Sequence, residues 1–231
     1  MSFEWLPHYA PLLLQGLICT IELLLFSGIL GFAAAVAVGF GRISHNRLLS
    51  QGCLAFTSIV RGTPLLVQIF LIYYGLGSVF AGWPAIRHGI LWPYLREGFW
   101  YMVIALTIST AGYEGEVIRA ALLSVPHGEI EAAQAFGLRR WSLLRRVWLP
   151  RALLAIMPTL AGETVLMLKS TALASTITVI DLLGAANVVR AETYRVYEPL
   201  LFVAVGYLML TLCIEHLFRI FERQAARAFR H

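Results

Sequence analysis

The sequence predicts an all-α integral membrane protein with five transmembrane helices, and two observations carry this prediction. First, 59% of the 231 residues are hydrophobic and 13% are charged, about half the charged fraction of an ordinary soluble domain. Second, the apolar residues form long runs, and about 20 apolar residues in a helix cross a hydrocarbon layer. Five runs reach that size: 12–38, 54–80, 99–123, 152–176 and 199–221.

Each run has its own interruptions. The first, 12–38, is broken only by Glu22, and the second rests on the charge-free stretch 62–86. The fourth contains Glu163 and Lys169, and the fifth ends before a group of C-terminal arginines. The third carries charges near its end: Glu114, Glu116 and Arg119. Because no repeat, linker or low-complexity tract divides these runs, we interpret 1–231 as one domain.

The arginines of the loops predict the orientation. An odd number of crossings places the two termini on opposite faces, and cytoplasmic loops carry the excess of Lys and Arg. The connections after the first and third helices, with the C-terminal segment, hold eleven arginines, whereas the opposite connections hold four. The N-terminus is therefore expected outside and the C-terminus in the cytoplasm.

Several function classes are excluded by composition. The net charge of +5 does not indicate nucleic-acid binding, because the basic residues are scattered between apolar runs. The single lysine, in Lys169-Ser170, lacks the preceding glycines of a phosphate-binding loop. We find no convergent catalytic cluster, and the histidines lie in separate elements, so we expect no catalytic residue and no metal site.

The cytoplasmic connection 124–151 is too regular for a flexible loop. The run 128–136 contains many helix formers, and Gly137 can end that helix in a left-handed conformation. A second short helix is expected from Arg139 to Trp148, ending at Pro150. The Ala-rich first helix suits close approach to a partner protein, and an amphipathic helix on the inner leaflet is an equally good interpretation.

A motif in this connection is recognisable. The spacing Glu131-Ala132-Ala133, then Gly137, then Val147-x-Leu149-Pro150 resembles the EAA loop of ATP-binding-cassette (ABC) importer permeases, with Val147 in place of Ile. Further segments resemble the polar amino acid branch of that family: RGTPLLVQIF (61–70), YEGEVIRAAL (113–122) and LKSTALASTITVIDLLGAAN (168–187).

This resemblance implies a type I ABC importer fold in a bacterial inner membrane, with the N-terminus periplasmic. It implies as partners a dimer of ATPase subunits, a second permease that is identical or homologous, a periplasmic solute-binding protein, an amino acid substrate and the lipid around the helices. ATP and Mg²⁺ would be bound by the ATPase, and this chain would hold no cofactor. The residues implied in coupling to the ATPase are Glu131, Ala132, Ala133, Gly137, Leu149 and Pro150.

Charged residues inside the runs are candidates for the substrate pathway, because unpaired charges are costly in a membrane. Glu163 and Lys169 lie six residues apart, about 120° from one another around a helix, so they do not share a face. Glu163 would suit a cationic substrate, and a structural ion pair of Glu22 with Lys169 is the alternative. For Arg61, and for Glu114, Glu116 and Arg119, structural roles are favoured, with Glu116 pairing with Arg119.

The stretch ETVLMLKSTAL (163–173) resembles permeases for basic amino acids and opine-like compounds. The sequence therefore predicts an importer subunit for such substrates, with ATP hydrolysis in a separate subunit. The rival hypothesis is an ATP-independent secondary transporter or channel, against which the absence of an inverted repeat argues.

Overall fold

The computed structural model describes residues 4–228, apart from the side chains of Arg140 and residues 226–228. The described part is helical, and no β-strand occurs in it. Twelve α-helices follow one another: α1 Leu6–Arg42, α2 Arg47–Gly62, α3 Leu65–Phe70, α4 Gly77–Gly82, α5 Pro84–Arg87, α6 Trp92–Leu95, α7 Gly98–Ser124, α8 His127–Ala135, α9 Arg140–Leu143, α10 Leu149–Thr171, α11 Leu182–Thr193 and α12 Tyr197–Ala228. The π-helical turn Leu71–Leu76 joins α3 to α4, the π-helical turn Leu144–Trp148 joins α9 to α10, and the 3₁₀ turn Ala172–Ile177 follows α10.

Helix α7 is the centre of the molecule. It packs against α1, α2 and α10, and buried side chains lie along its whole length. One apolar cluster surrounds Met102 and Leu106 in its first half, and a second surrounds Ile118 and Leu122 in its second half. The stretch between the two clusters is polar, which places polar side chains in the interior of the bundle.

Within residues 4–228, four continuous helical stretches are long and apolar enough to cross a membrane: Leu6–Arg42, Leu65–Gly82, Trp141–Thr176 and Tyr197–Ala225. Helix α7 is not among them because its middle is polar, although its 27 residues extend about 40 Å at 1.5 Å per residue.

Helices α1 and α7 approach closely because glycines lie at their contact. A Cβ atom added at Gly31 would lie 2.7 Å from Cβ of Thr110, and one added at Gly115 would lie 2.7 Å from Cγ1 of Val38. Small residues allow helix backbones to approach closely where lipid gives no hydrophobic drive for association. The two helices are therefore packed too tightly to admit any larger side chain at these positions.

The segment predicted as one helix, 54–80, is divided in the structure. Helix α2 ends at Gly62, and Thr63 is extended with φ −116° and ψ 143°. Pro64 causes the break, because its ring disfavours helical backbone in the preceding residue and it has no N–H to donate. The Gln68 side chain donates hydrogen bonds to the carbonyl oxygens of Val60 (2.8 Å) and Thr63 (3.1 Å), which satisfies acceptors left free at the break.

A second difference concerns Pro150. The short helix predicted from Arg139 to Trp148 does not end there, because helical backbone continues through the π-helical turn into α10. Pro150 is the second residue of α10 and follows the π-helical turn directly, so the irregular hydrogen bonding of that turn lies where the proline lacks an N–H. The cytoplasmic segment and the fourth apolar helix are therefore joined by continuous helix.

Candidate functional site

Helix α8 ends as the sequence predicts. Gly137 has φ +78°, the left-handed conformation that glycine adopts without steric cost. The N–H of Gly137 donates to the Gln134 carbonyl at 2.8 Å, and the N–H of Leu138 donates to the Ala133 carbonyl at 3.2 Å. This pair of bonds is the Schellman motif that closes many helix C-termini.

The outward side of α8 is open. Glu131 and Ala132 are exposed, whereas Ala133 is buried. Beyond the end of the helix, Phe136 is 89% exposed and Trp141 is 71% exposed. Small side chains beside two exposed aromatic rings form a surface on which a partner can pack closely.

The other side of this segment is fixed to the bundle. The indole N–H of Trp148 donates to the carbonyl oxygen of Leu122 at the end of α7, at 2.7 Å. Arg151 makes two bonds to Glu129 on α8, at 2.9 and 3.0 Å. Leu149 and Pro150, at the start of α10, are half-buried. Bonds therefore tie α8 to α10, and the segment after α8 to α7.

A cavity of about 450 Å³ opens between α7 and α10, beside the polar middle of α7. Glu163 and Lys169 both line it, although they lie on different sides of α10. Neither side chain forms an ion pair with another residue in the described range 4–228. The other polar lining residues are Ser109, Thr110, Tyr113, Glu114 and Ser170.

Glu22 lies elsewhere. Its side chain is exposed on α1 and is not among those that line this cavity. The alternative ion pair of Glu22 with Lys169 does not form among the described residues. The structure thus brings together two of the three predicted pathway residues and leaves the third apart.

Glu114, for which the sequence favours a structural role, lies at the same cavity. Glu116 does pair with Arg119, at 3.5 Å, and more closely with Arg42, at 2.6 Å. Glu114 is 5% exposed, lines the cavity, and has no partner for its Oε2 atom among the described residues. The helical spacing could have distinguished Glu114 from Glu116, because residues two apart along a helix are rotated by about 200° and lie on different faces.

Arg61 lies close to the same cavity. Its guanidinium carbon is 5.7 Å from the centre of the Tyr113 ring, and Tyr113 lines the cavity. This distance is within the range of a cation–π interaction. The cavity is therefore bordered by a cation that is held against an aromatic ring.

Comparison with known proteins identifies the family of this chain. The sequence matches the family described as "Binding-protein-dependent transport system inner membrane component" over residues 7–227. The chain belongs to this family. It is accordingly the permease subunit of an ABC importer in the inner membrane and not an enzyme, since a separate subunit of such transporters hydrolyses ATP.

Named relatives cover nearly the whole permease. An octopine transport system permease protein of Rhizobium radiobacter is 39% identical over 221 residues, which are 96% of this chain and 88% of the relative. A histidine/lysine/arginine/ornithine transport system permease protein of Salmonella typhimurium is 39% identical over 225 residues, 96% of this chain and 92% of that one. A nopaline transport system permease protein of Agrobacterium fabrum is 37% identical, with 96% and 91% covered.

Solved structures agree on the fold of the permease. A chain of an amino acid ABC transporter crystallised with histidines superposes with a TM-score of 0.83 at 32% identity, over 97% of this chain and 99% of that one. The inward-facing MetNI methionine ABC transporter superposes with a TM-score of 0.76 over 97% and 99% of the two chains. At 21% identity, the second likeness shows the fold alone.

Proposed function

We propose that this permease carries basic amino acids, or related opine-like compounds, across the inner membrane. The observation that carries the proposal is the cavity between α7 and α10, which Glu163 and Lys169 line without pairing. An amino acid has a carboxylate for Lys169 and an ammonium for Glu163, and a basic side chain adds a second cation. The names of the relatives, which refer to octopine, nopaline and cationic amino acids, support the same substrate class.

Coupling to ATP hydrolysis is assigned to the segment that begins with α8. A dimer of ATPase subunits would receive Glu131, Ala132 and Ala133, with Gly137 ending the helix and Leu149 and Pro150 beginning α10. The exposed outward side of α8 supports this assignment, as do the bonds that fix its other side to α7 and α10. A second permease, identical or homologous, and a periplasmic solute-binding protein complete the transporter.

The proposed topology has five crossings, with the N-terminus periplasmic and the C-terminus cytoplasmic. Helix α7 is the fifth crossing, in addition to the four apolar stretches. Its length supports this assignment, and so does its packing against α1, α2 and α10, which shields its polar residues from lipid.

The test is ATP hydrolysis and uptake in proteoliposomes that hold the assembled transporter and its binding protein, with single amino acids added. In the native complex, one basic amino acid is expected to stimulate both activities. The Gly137→Asp substitution is expected to lower stimulated hydrolysis and uptake about tenfold or more, the effect of a lost coupling of roughly 1.4 kcal/mol, because it strains the left-handed turn and adds a charge beside the docking surface.

Gly52→Asp is the matched control, since Gly52 is exposed on α2 and a Cβ added there meets nothing within 4 Å. Native-like activity is expected for this variant. Uptake by the permease without ATPase subunits would instead support an ATP-independent secondary transporter or channel and contradict the proposal.

A further inference from the structure

Glu114 is a buried acidic group without a structural function. Its side chain is 5% exposed, and Oε2 has no hydrogen-bond partner among the described residues. It forms no ion pair within the same range. A fold with an unpartnered buried carboxylate is less stable than the same fold with an apolar residue at that position. The stability of the protein therefore does not explain why a glutamate is found here.

The surroundings of Glu114 show what its carboxylate can meet. It lines the cavity of about 450 Å³ together with Glu163, and the two carboxylates interact electrostatically. Ser109 and Thr110, on the preceding turn of α7, line the same cavity, which is large enough for an amino acid. The free oxygen of Glu114 therefore lies beside a space that a ligand can occupy.

Charge balance indicates the class of ligand. The charged side chains that line the cavity are Glu114, Glu163 and Lys169, and Arg61, which borders the cavity against Tyr113, acts electrostatically on Glu163. Glu114 is left as the carboxylate that no cation of the described residues faces. The second cation of a basic amino acid would neutralise this carboxylate, whereas a neutral amino acid of the same shape brings no charge to it. The approach of a cation also favours the ionised form of a neighbouring carboxylate.

We infer that Glu114 binds the side-chain cation of the substrate, beside the ammonium group at Glu163, and that it makes the membrane pathway selective for net positive amino acids over neutral ones of the same shape. This inference rests on the proposed transport function and extends it, because it names a selectivity residue on α7 in addition to the predicted residues of α10. Lys169 then receives the substrate carboxylate.

The test compares uptake of arginine and citrulline by the assembled transporter in proteoliposomes. The two compounds have nearly the same shape, and citrulline has a neutral urea group in place of the guanidinium. Native complex and Glu114→Gln complex receive the same binding protein at saturating concentration, so any change in the arginine-to-citrulline uptake ratio arises in the membrane subunits. Glu97→Gln is the matched control, since Glu97 is exposed immediately before α7.

Glu114→Gln is expected to lower the arginine-to-citrulline ratio about tenfold or more, the usual effect of losing a hydrogen bond to a charged group. Glu97→Gln is expected to leave the ratio at the native value. Native selectivity in a Glu114→Gln complex that still imports arginine would overturn the inference. If the proposed function itself is wrong, the native complex will show no ATP-dependent uptake of any amino acid.

A measurement on the native complex covers the case in which Glu114→Gln does not assemble. A hydrophobic carbodiimide modifies carboxyl groups in membrane proteins, and mass spectrometry reports the extent of modification at Glu114. Arginine is expected to reduce this modification, and citrulline at the same concentration is not. Equal modification of Glu114 in the presence of the two compounds would overturn the inference.

Discussion

Two glutamates on one helix show how position decides the role of a side chain. Glu116 accepts hydrogen bonds from Arg42 at 2.6 Å and from Thr57 at 2.9 Å, and these bonds join α7 to α1 and α2. Glu114, two residues earlier, points away from that network and into the cavity. The first carboxylate therefore holds helices together, while the second is left free for a ligand.

The structural role of Glu116 predicts a loss of stability on substitution. Glu116→Gln removes the charge that Arg42 faces, and both side chains are largely buried. We expect destabilisation by about 1–2 kcal/mol, because a buried charge loses its partner while some solvent still reaches it. The midpoint of thermal unfolding of the purified permease, followed by intrinsic fluorescence, measures the effect.

Glu97→Gln is the matched control for this prediction. Glu97 is exposed immediately before α7 and forms no ion pair among the described residues, so the unfolding midpoint is expected to stay near the native value. Equal shifts in the two variants would contradict the structural role of Glu116.

At the scale of elements, α8 is tied to α10 through Glu129 and is exposed on its outward side. The Trp148 bond to Leu122 links the segment after α8 to the end of α7, and the Arg151 bonds link α8 to α10. Because α7 and α10 also border the cavity, the proposed docking surface and the proposed pathway are attached to the same two helices.

The Trp148 bond predicts a coupling defect. Trp148→Phe keeps an aromatic ring and removes the N–H donor, so we expect assembly to survive while uptake per ATP hydrolysed falls by about two- to fivefold, a typical effect along a coupled network. Simultaneous measurement of ATP hydrolysis and uptake gives this ratio. Trp141→Phe, at a residue 71% exposed, is the control, and an unchanged ratio in Trp148→Phe would show that this bond does not transmit the movement.

Sequence patterns predict these elements unevenly, for physical reasons. The bounds of α7 were predicted within one residue, 99–123 against Gly98–Ser124, because its apolar run is bounded on both sides by polar residues. The left-handed turn at Gly137 was also predictable, since few other residues adopt it. The continuation of helix through Pro150 was not, because the π-helical turn before it depends on packing that no local pattern records.

The residues of the candidate site were also only partly predictable from the sequence. Glu163 and Lys169 attract notice as charges within an apolar run, and the structure places both at one cavity. Glu114 was hidden by the neighbouring Glu116 and Arg119, whose pairing gave all three a structural explanation. Glu22 is noticed for its charge alone, and its exposed position on α1, outside the cavity lining, depends on how α1 packs against its neighbours, which the sequence does not reveal.

At the scale of the whole molecule, the central helix is the long helix that hydropathy does not select. Among the described residues hydropathy selects four stretches, and α7 is passed over because of the polar side chains that face the cavity and the Glu116 network. Its neighbours α1, α2 and α10 pack around it, so α7 does not need an apolar surface. A helix whose polar residues are enclosed by its neighbours is thus the one that hydropathy is least able to detect.

The five-crossing topology predicts that the segments before and after α7 lie on opposite faces of the membrane. Ile90 is 93% exposed before α7, and Phe136 is 89% exposed after it. In a chain whose three native cysteines are replaced, Ile90→Cys is expected to react with a membrane-impermeant maleimide in intact cells. Phe136→Cys is expected to react only after the inner membrane is opened. Labelling of both in intact cells, or of neither, would show that α7 does not cross, and the eleven-to-four distribution of loop arginines would then need a different topology.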